Sequence, residues 1–105
     1  MECMKTYQVR ISASAEADFR DLVLFLLKNM SIEGTHRYIT AMRNEIMSLS
    51  ILADLYRTSS FADVLCYHAK ARKMVSHNKK CVYIFHIDGD AVVVDRIRPA
   101  KLITK

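Results

Sequence analysis

The sequence predicts an α+β domain in the order β-α-α-β-β-β. Three observations carry this. Apolar residues recur at helical spacing twice between Phe19 and Ala53. Strand-like runs lie before that stretch and after it, over 6–12, 69–75, 81–87 and 91–98. Asp88-Gly89 joins the last two runs, and that dipeptide is among the clearest hairpin signals. At 105 residues, 51% of them hydrophobic, the chain is read as one domain, 1–105, with one core.

"TYQVRIS" alternates and is rich in β-formers, which predicts a strand with Val9 and Ile11 on one side and Gln8 and Arg10 on the other. Ser12 or Ser14 then offers an N-cap, and Glu16 and Asp18 sit in the first turn, where the helix dipole favours acids. Phe19, Leu22, Val23, Leu26, Leu27 and Met30 follow the i, i+3, i+4, i+7 pattern of a helix with a wide apolar face. Asn29 to Glu33 punctuates, with Ser31 as a second N-cap. Tyr38, Ile39, Met42, Ile46, Leu49 and Ala53 then repeat at helical spacing. The two helices are joined tightly enough for an antiparallel hairpin, whose apolar faces need a sheet to cover. "YRTSSFADV" is a polar connection with no assigned element. A strand is read over about Ala69 to Val75, a strong one at "CVYIFHI", a turn at "DGD" and a last strand at "AVVVDRIR". If Asp88-Gly89 is a two-residue loop, Phe85 pairs with Val92; a bulged turn shifts that register. Cys81, Tyr83, Phe85 and Ile87 share one side of the third strand and Val82, Ile84 and His86 the other. The helices can cover one side, leaving the other partly bare for a partner.

Composition excludes several classes. No apolar stretch reaches the roughly 20 residues that span a bilayer, and "MECMKTYQVRIS" lacks the apolar core of a secretion signal. Three cysteines, Cys3, Cys66 and Cys81, form no CxxC pair, which suits a reducing cytoplasm rather than a disulfide framework. The net charge of +5 is uneven: residues 1–65 carry seven Lys/Arg against eight acids, residues 66–105 nine against three. That asymmetry points to an anionic partner at the C-terminal end, nucleic acid or acidic peptide, beside the plainer reading of a basic, soluble surface. Cys66-Tyr67-His68 offers two metal-ligand types with no partner cluster, so no metal is expected.

Four stretches, "YQVRISASAEADFRDLVLFL", "RYITAMRNEIMSLSIL", "ARKMVSHNKKCVYIFHIDGD" and the following "AVVVDRI", resemble the RelE/ParE superfamily, the toxins of type II toxin–antitoxin modules often described as plasmid stabilisation proteins. The resemblance covers nearly the whole chain, in the same order of elements. It implies two antiparallel helices on a curved, mainly antiparallel sheet, no cofactor, and a cognate antitoxin, a small acidic protein, that wraps the toxin and forms a hetero-oligomer with it. It also implies one of two targets. ParE-like members poison DNA gyrase; RelE-like members cleave mRNA on the ribosome without metal.

For the nuclease branch, a base must take the 2′-hydroxyl proton and cations must hold the phosphorane charge. The residues matching the family's pattern are Arg72 and Lys73 at the start of the second strand and Arg96 on the last; Lys101 falls in the basic tail. The tail then departs: Pro99, Ala100, Lys101 and Leu102 follow, and no Tyr or His comes after Ile97. The missing terminal acid/base favours the ParE-like branch. In the rival reading Arg72, His77 and Arg96 are catalytic, although His77 is equally read as a solvated turn histidine. His86, between apolar neighbours, reads as a half-buried structural histidine and Asp95 as a local charge partner. Lys70, Arg72, Lys73, Lys79, Lys80, Arg96, Arg98 and Lys101 are the candidate contacts to a target or nucleic acid. Arg72, Arg96 and Arg98 are expected to share one cationic patch, able to grip phosphate or an antitoxin's carboxylates. Tyr83, Phe85, Arg96 and Arg98 are the candidate antitoxin contacts.

Overall fold

The computed structural model describes residues 6–56 and 68–99. The order is β1 (Gln8–Ile11), α1 (Ala13–Asn29), α2 (Ile32–Leu52), a short 3-10 turn (Ala53–Leu55), β2 (Arg72–Val75), β3 (Cys81–Asp88) and β4 (Ala91–Pro99). The strands form one sheet in the order β1-β4-β3-β2, parallel between β1 and β4 and antiparallel elsewhere. The α+β architecture and element order are those the sequence predicts. The connection expected at "YRTSSFADV" lies almost wholly outside the described residues. Among those described, no helix is long and apolar enough to cross a membrane.

Both helices start where the serines direct. Ser12 Oγ accepts the Ala15 N–H at 3.0 Å, and Ser31 Oγ accepts the Gly34 N–H at 3.0 Å. Each bond satisfies a donor that the first turn leaves without a carbonyl. Ser12 does more. Its N–H donates to Val94 O at 3.0 Å and its hydroxyl to Asp95 O at 2.9 Å, so one residue ends β1, opens α1 and fastens both to β4.

The helices cover the side of the sheet carrying Tyr83, Phe85, Val92 and Val94, all 0% exposed, with Phe19, Met42, Ile46 and Leu49 packed against them. Arg43 lies over the Phe19 ring at 4.9 Å, a further tie between the helices.

The hairpin turn differs by one residue from the Asp88-Gly89 loop. Asp88 pairs with Ala91 and Ile87 with Val92, so the loop is Gly89-Asp90. Gly89 has φ +63°, which glycine adopts without a Cβ penalty, and no other residue of the turn has a positive φ. That matches the turn type with glycine first. Phe85 therefore pairs with Val94; a register shift between Ile84 and Phe85 then makes Ile84 pair with Arg96, and Asp95 is the extra residue of β4. β2 is shorter than expected; His68 to Ala71 forms a turn closed by the Ala71 N–H on His68 O at 3.1 Å.

Candidate functional site

The predicted cationic patch does not assemble. Arg72 pairs with Phe85 and faces the helices. Its guanidinium donates to the carbonyls of Tyr56 at 2.8 Å and Ala53 at 3.4 Å, where α2 and the 3-10 turn end; Ala53 O also accepts the Tyr56 N–H. Arg96 reaches around the edge of the sheet to Asp18 on α1, with two bonds of 2.7 and 2.9 Å. Arg98 remains near the end of β4, its Nε buried without a hydrogen-bond partner. Register and helix ends therefore take Arg72 away from Arg96 and Arg98, whose charges both act on Asp18.

Why Asp18 receives Arg96 is a matter of edges. β1 pairs with β4 only as far as Val94, so the next stretch of β4 has β3 on one side and no strand on the other. α1 runs there instead, and Asp18 Oδ2 accepts the Ile97 N–H at 3.0 Å in place of a neighbouring carbonyl. Burial alone raises the Asp18 carboxyl. The Arg96 bond, the Ile97 N–H and the charges of Arg96 and Arg98 outweigh it and hold the group below the ordinary aspartate value.

His77 is exposed in the β2–β3 turn. Its backbone N–H donates to Glu45 Oε2 at 2.6 Å, and the other carboxylate oxygen accepts the buried Tyr83 hydroxyl at 2.6 Å. Burial, then the bond to Glu45 and its charge, push the Tyr83 phenol up, so it stays a donor. Tyr83 and Phe85, read as antitoxin contacts, are core residues instead, because the helices cover their side of β3. Val82 and Ile84 on the opposite side are also 0% exposed, so the centre of that face is not bare. Lys70, Lys79 and Lys80 are exposed and Lys73 is half-buried; Lys101, Cys66 and Tyr67 lie outside the described residues. Among the described residues no group of three His, Cys, Asp or Glu is placed to hold a metal ion.

The open surface lies elsewhere. A cleft of about 670 Å³ runs between α1 and the ends of β3 and β4, lined by Leu22, Phe25, Met30, Ile97, Lys80 and Arg98 among others. Phe25 is 61% exposed there. Sequence periodicity placed Leu22 and Leu26 on the buried stripe of α1. It carried no signal for Phe25, which lies off that stripe. The cleft therefore offers an apolar floor with two cations, Lys80 and Arg98, and two carboxylates, Asp18 and Asp21, in its lining.

No family model matches the chain, and no curated protein is similar to it. Among solved structures, a chain described as "Chromosomal ParDE TA system from P. aeruginosa" superposes with a TM-score of 0.73, covering 90% of this chain and 96% of that one, at 14% identity. A likeness at that identity is one of fold.

Proposed function

We propose that this chain is the toxin of a type II toxin–antitoxin module, acting in the cytoplasm as a ParE-like poison of DNA gyrase and silenced by a small acidic antitoxin. The observation that carries this reading is the fold shared with a chain of a ParDE system over nearly the full length of both. Fold alone does not fix function, so the site has to support the choice of target. The message-cleaving alternative relied on Arg72, His77 and Arg96. Two of these hold helix ends and a sheet edge, and the third is apart from both in an exposed turn. This reading assigns the antitoxin to the cleft beside α1. An apolar segment would cover Phe25 and Leu22, and a carboxylate would meet Arg98, whose buried Nε lacks an acceptor.

Expression in bacterial cells, alone and with the small acidic protein encoded beside it, tests the reading. The expected outcome is arrested growth with blocked replication, a DNA-damage response and intact messages, relieved by the partner. Cleaved messages with undisturbed replication would overturn the gyrase assignment. A chain that binds its partner and leaves growth unaffected would overturn toxicity itself. In the purified pair, Phe25→Asp is expected to weaken binding by about 2 kcal/mol or more, as for a central interface anchor, with thermal unfolding of the free chain unchanged.

A further inference from the structure

The face of the sheet away from the helices holds a group that the toxin reading does not use. His86 on β3 and Asp95 at the β4 bulge are joined Nδ1 to Oδ2 at 2.7 Å, with side chains 14% and 17% exposed. The His68 ring stacks on His86 with centroids 3.8 Å apart and planes 3° apart. The hydrogen bonds assign the protons. A carboxylate only accepts, so His86 Nδ1 carries a hydrogen. The Lys70 N–H donates to His68 Nδ1 at 3.0 Å, so that nitrogen carries none and His68 is neutral in this arrangement.

We infer that the His68–His86–Asp95 stack is a proton-operated latch: it holds the His68–Ala71 turn on the sheet while His68 is neutral and releases that turn when His68 takes up a proton. The geometry gives two reasons. A proton added to His68 can only go to Nδ1, where it meets the Lys70 N–H head-on and removes its acceptor. The charge also arrives on a ring stacked 3.8 Å from His86, on a face that carries basic side chains. Lys70 belongs to the same turn. Lys73 on β2 pairs with Ile84, and Arg10 on β1 pairs with Val93, itself beside His86, so both point charge toward this face. On β4 Arg96 is turned to Asp18, and on β3 Asp88 lies two residues further along, at the exposed turn. The turn that His68 holds covers Ala71, which is 0% exposed, and its own closing bond runs from the Ala71 N–H to His68 O.

Amide hydrogen exchange on the purified chain, corrected for the intrinsic pH dependence of exchange, reads the latch directly. Between pH 7.5 and pH 5 the protection of the Ala71 amide is expected to fall on the order of tenfold, while the Tyr83 amide in the core strand keeps its protection. His68→Phe retains a flat ring over His86 but cannot take up a proton, so its Ala71 protection is expected to be the same at both pH values. Ala71 protection that does not change in the natural chain would overturn the latch. So would an equal fall in His68→Phe, or a parallel loss at Tyr83, which would mean that the whole domain loosens. The measurement needs neither antitoxin nor target, and its failure leaves the toxin reading untouched.

Discussion

Asp18 shows how one side chain completes a sheet that a strand leaves unfinished. It accepts the Ile97 N–H and grips Arg96, and its carboxyl is held below the ordinary value by those contacts against the cost of burial. A depressed carboxylate contributes stability that is present above the unfolded value, near pH 3.9, and is lost as pH falls through the folded one. Acid titration of unfolding is therefore expected to show a loss below about pH 4 in the natural chain, and a weaker one in Asp18→Asn, which starts less stable at neutral pH. Chemical denaturation at a series of pH values checks it. From the sequence Asp18 was legible only as a first-turn acid near a helix dipole. Its partner lies 78 residues away, and no local pattern points that far. His86 and Asp95 were read nearer the mark, as a half-buried structural histidine and a local charge partner.

At the scale of elements, the termini of α1 and the β3–β4 hairpin decide the geometry. Ser12 makes four bonds to two other elements, and its hydroxyl takes part in two of them. Ser12→Ala is expected to lower stability by about 1–2 kcal/mol, the upper part of the range for a lost cap, because a bond to β4 goes with it. The Tm of the variant, with its helical circular dichroism retained, is the measurement. Both helix starts, both apolar stripes and all four strands, the second with its start read three residues early, were legible because each depends on nearby residues. The turn was legible to within one residue. Glycine had to take the positive φ, and the loop shifted to put it first. The bulge at Asp95 was not legible, since an extra residue in a strand shows itself only against the partner strand.

For the whole molecule, one core under two helices carries the stability, with Phe85 at its centre, 0% exposed and edge-on to Tyr56 at 6.0 Å. Phe85→Ala is expected to cost about 3–5 kcal/mol, a large fraction of what a domain this size has. Its denaturant midpoint should fall steeply without a change in partner-binding chemistry, because the ring never meets the surface. The sequence by itself determined the α+β class, the order of elements, the capping serines and the basic bias of the C-terminal part, all set by local periodicity and composition. Only the tertiary structure decided which side of β3 the helices cover, that Arg72 parts company with Arg96 and Arg98, and that the open cleft lies beside α1. The physical reason is that a strand's period of two offers two equivalent faces, and an arginine's long side chain goes to whichever unpaired carbonyl or carboxylate the packed elements leave within reach.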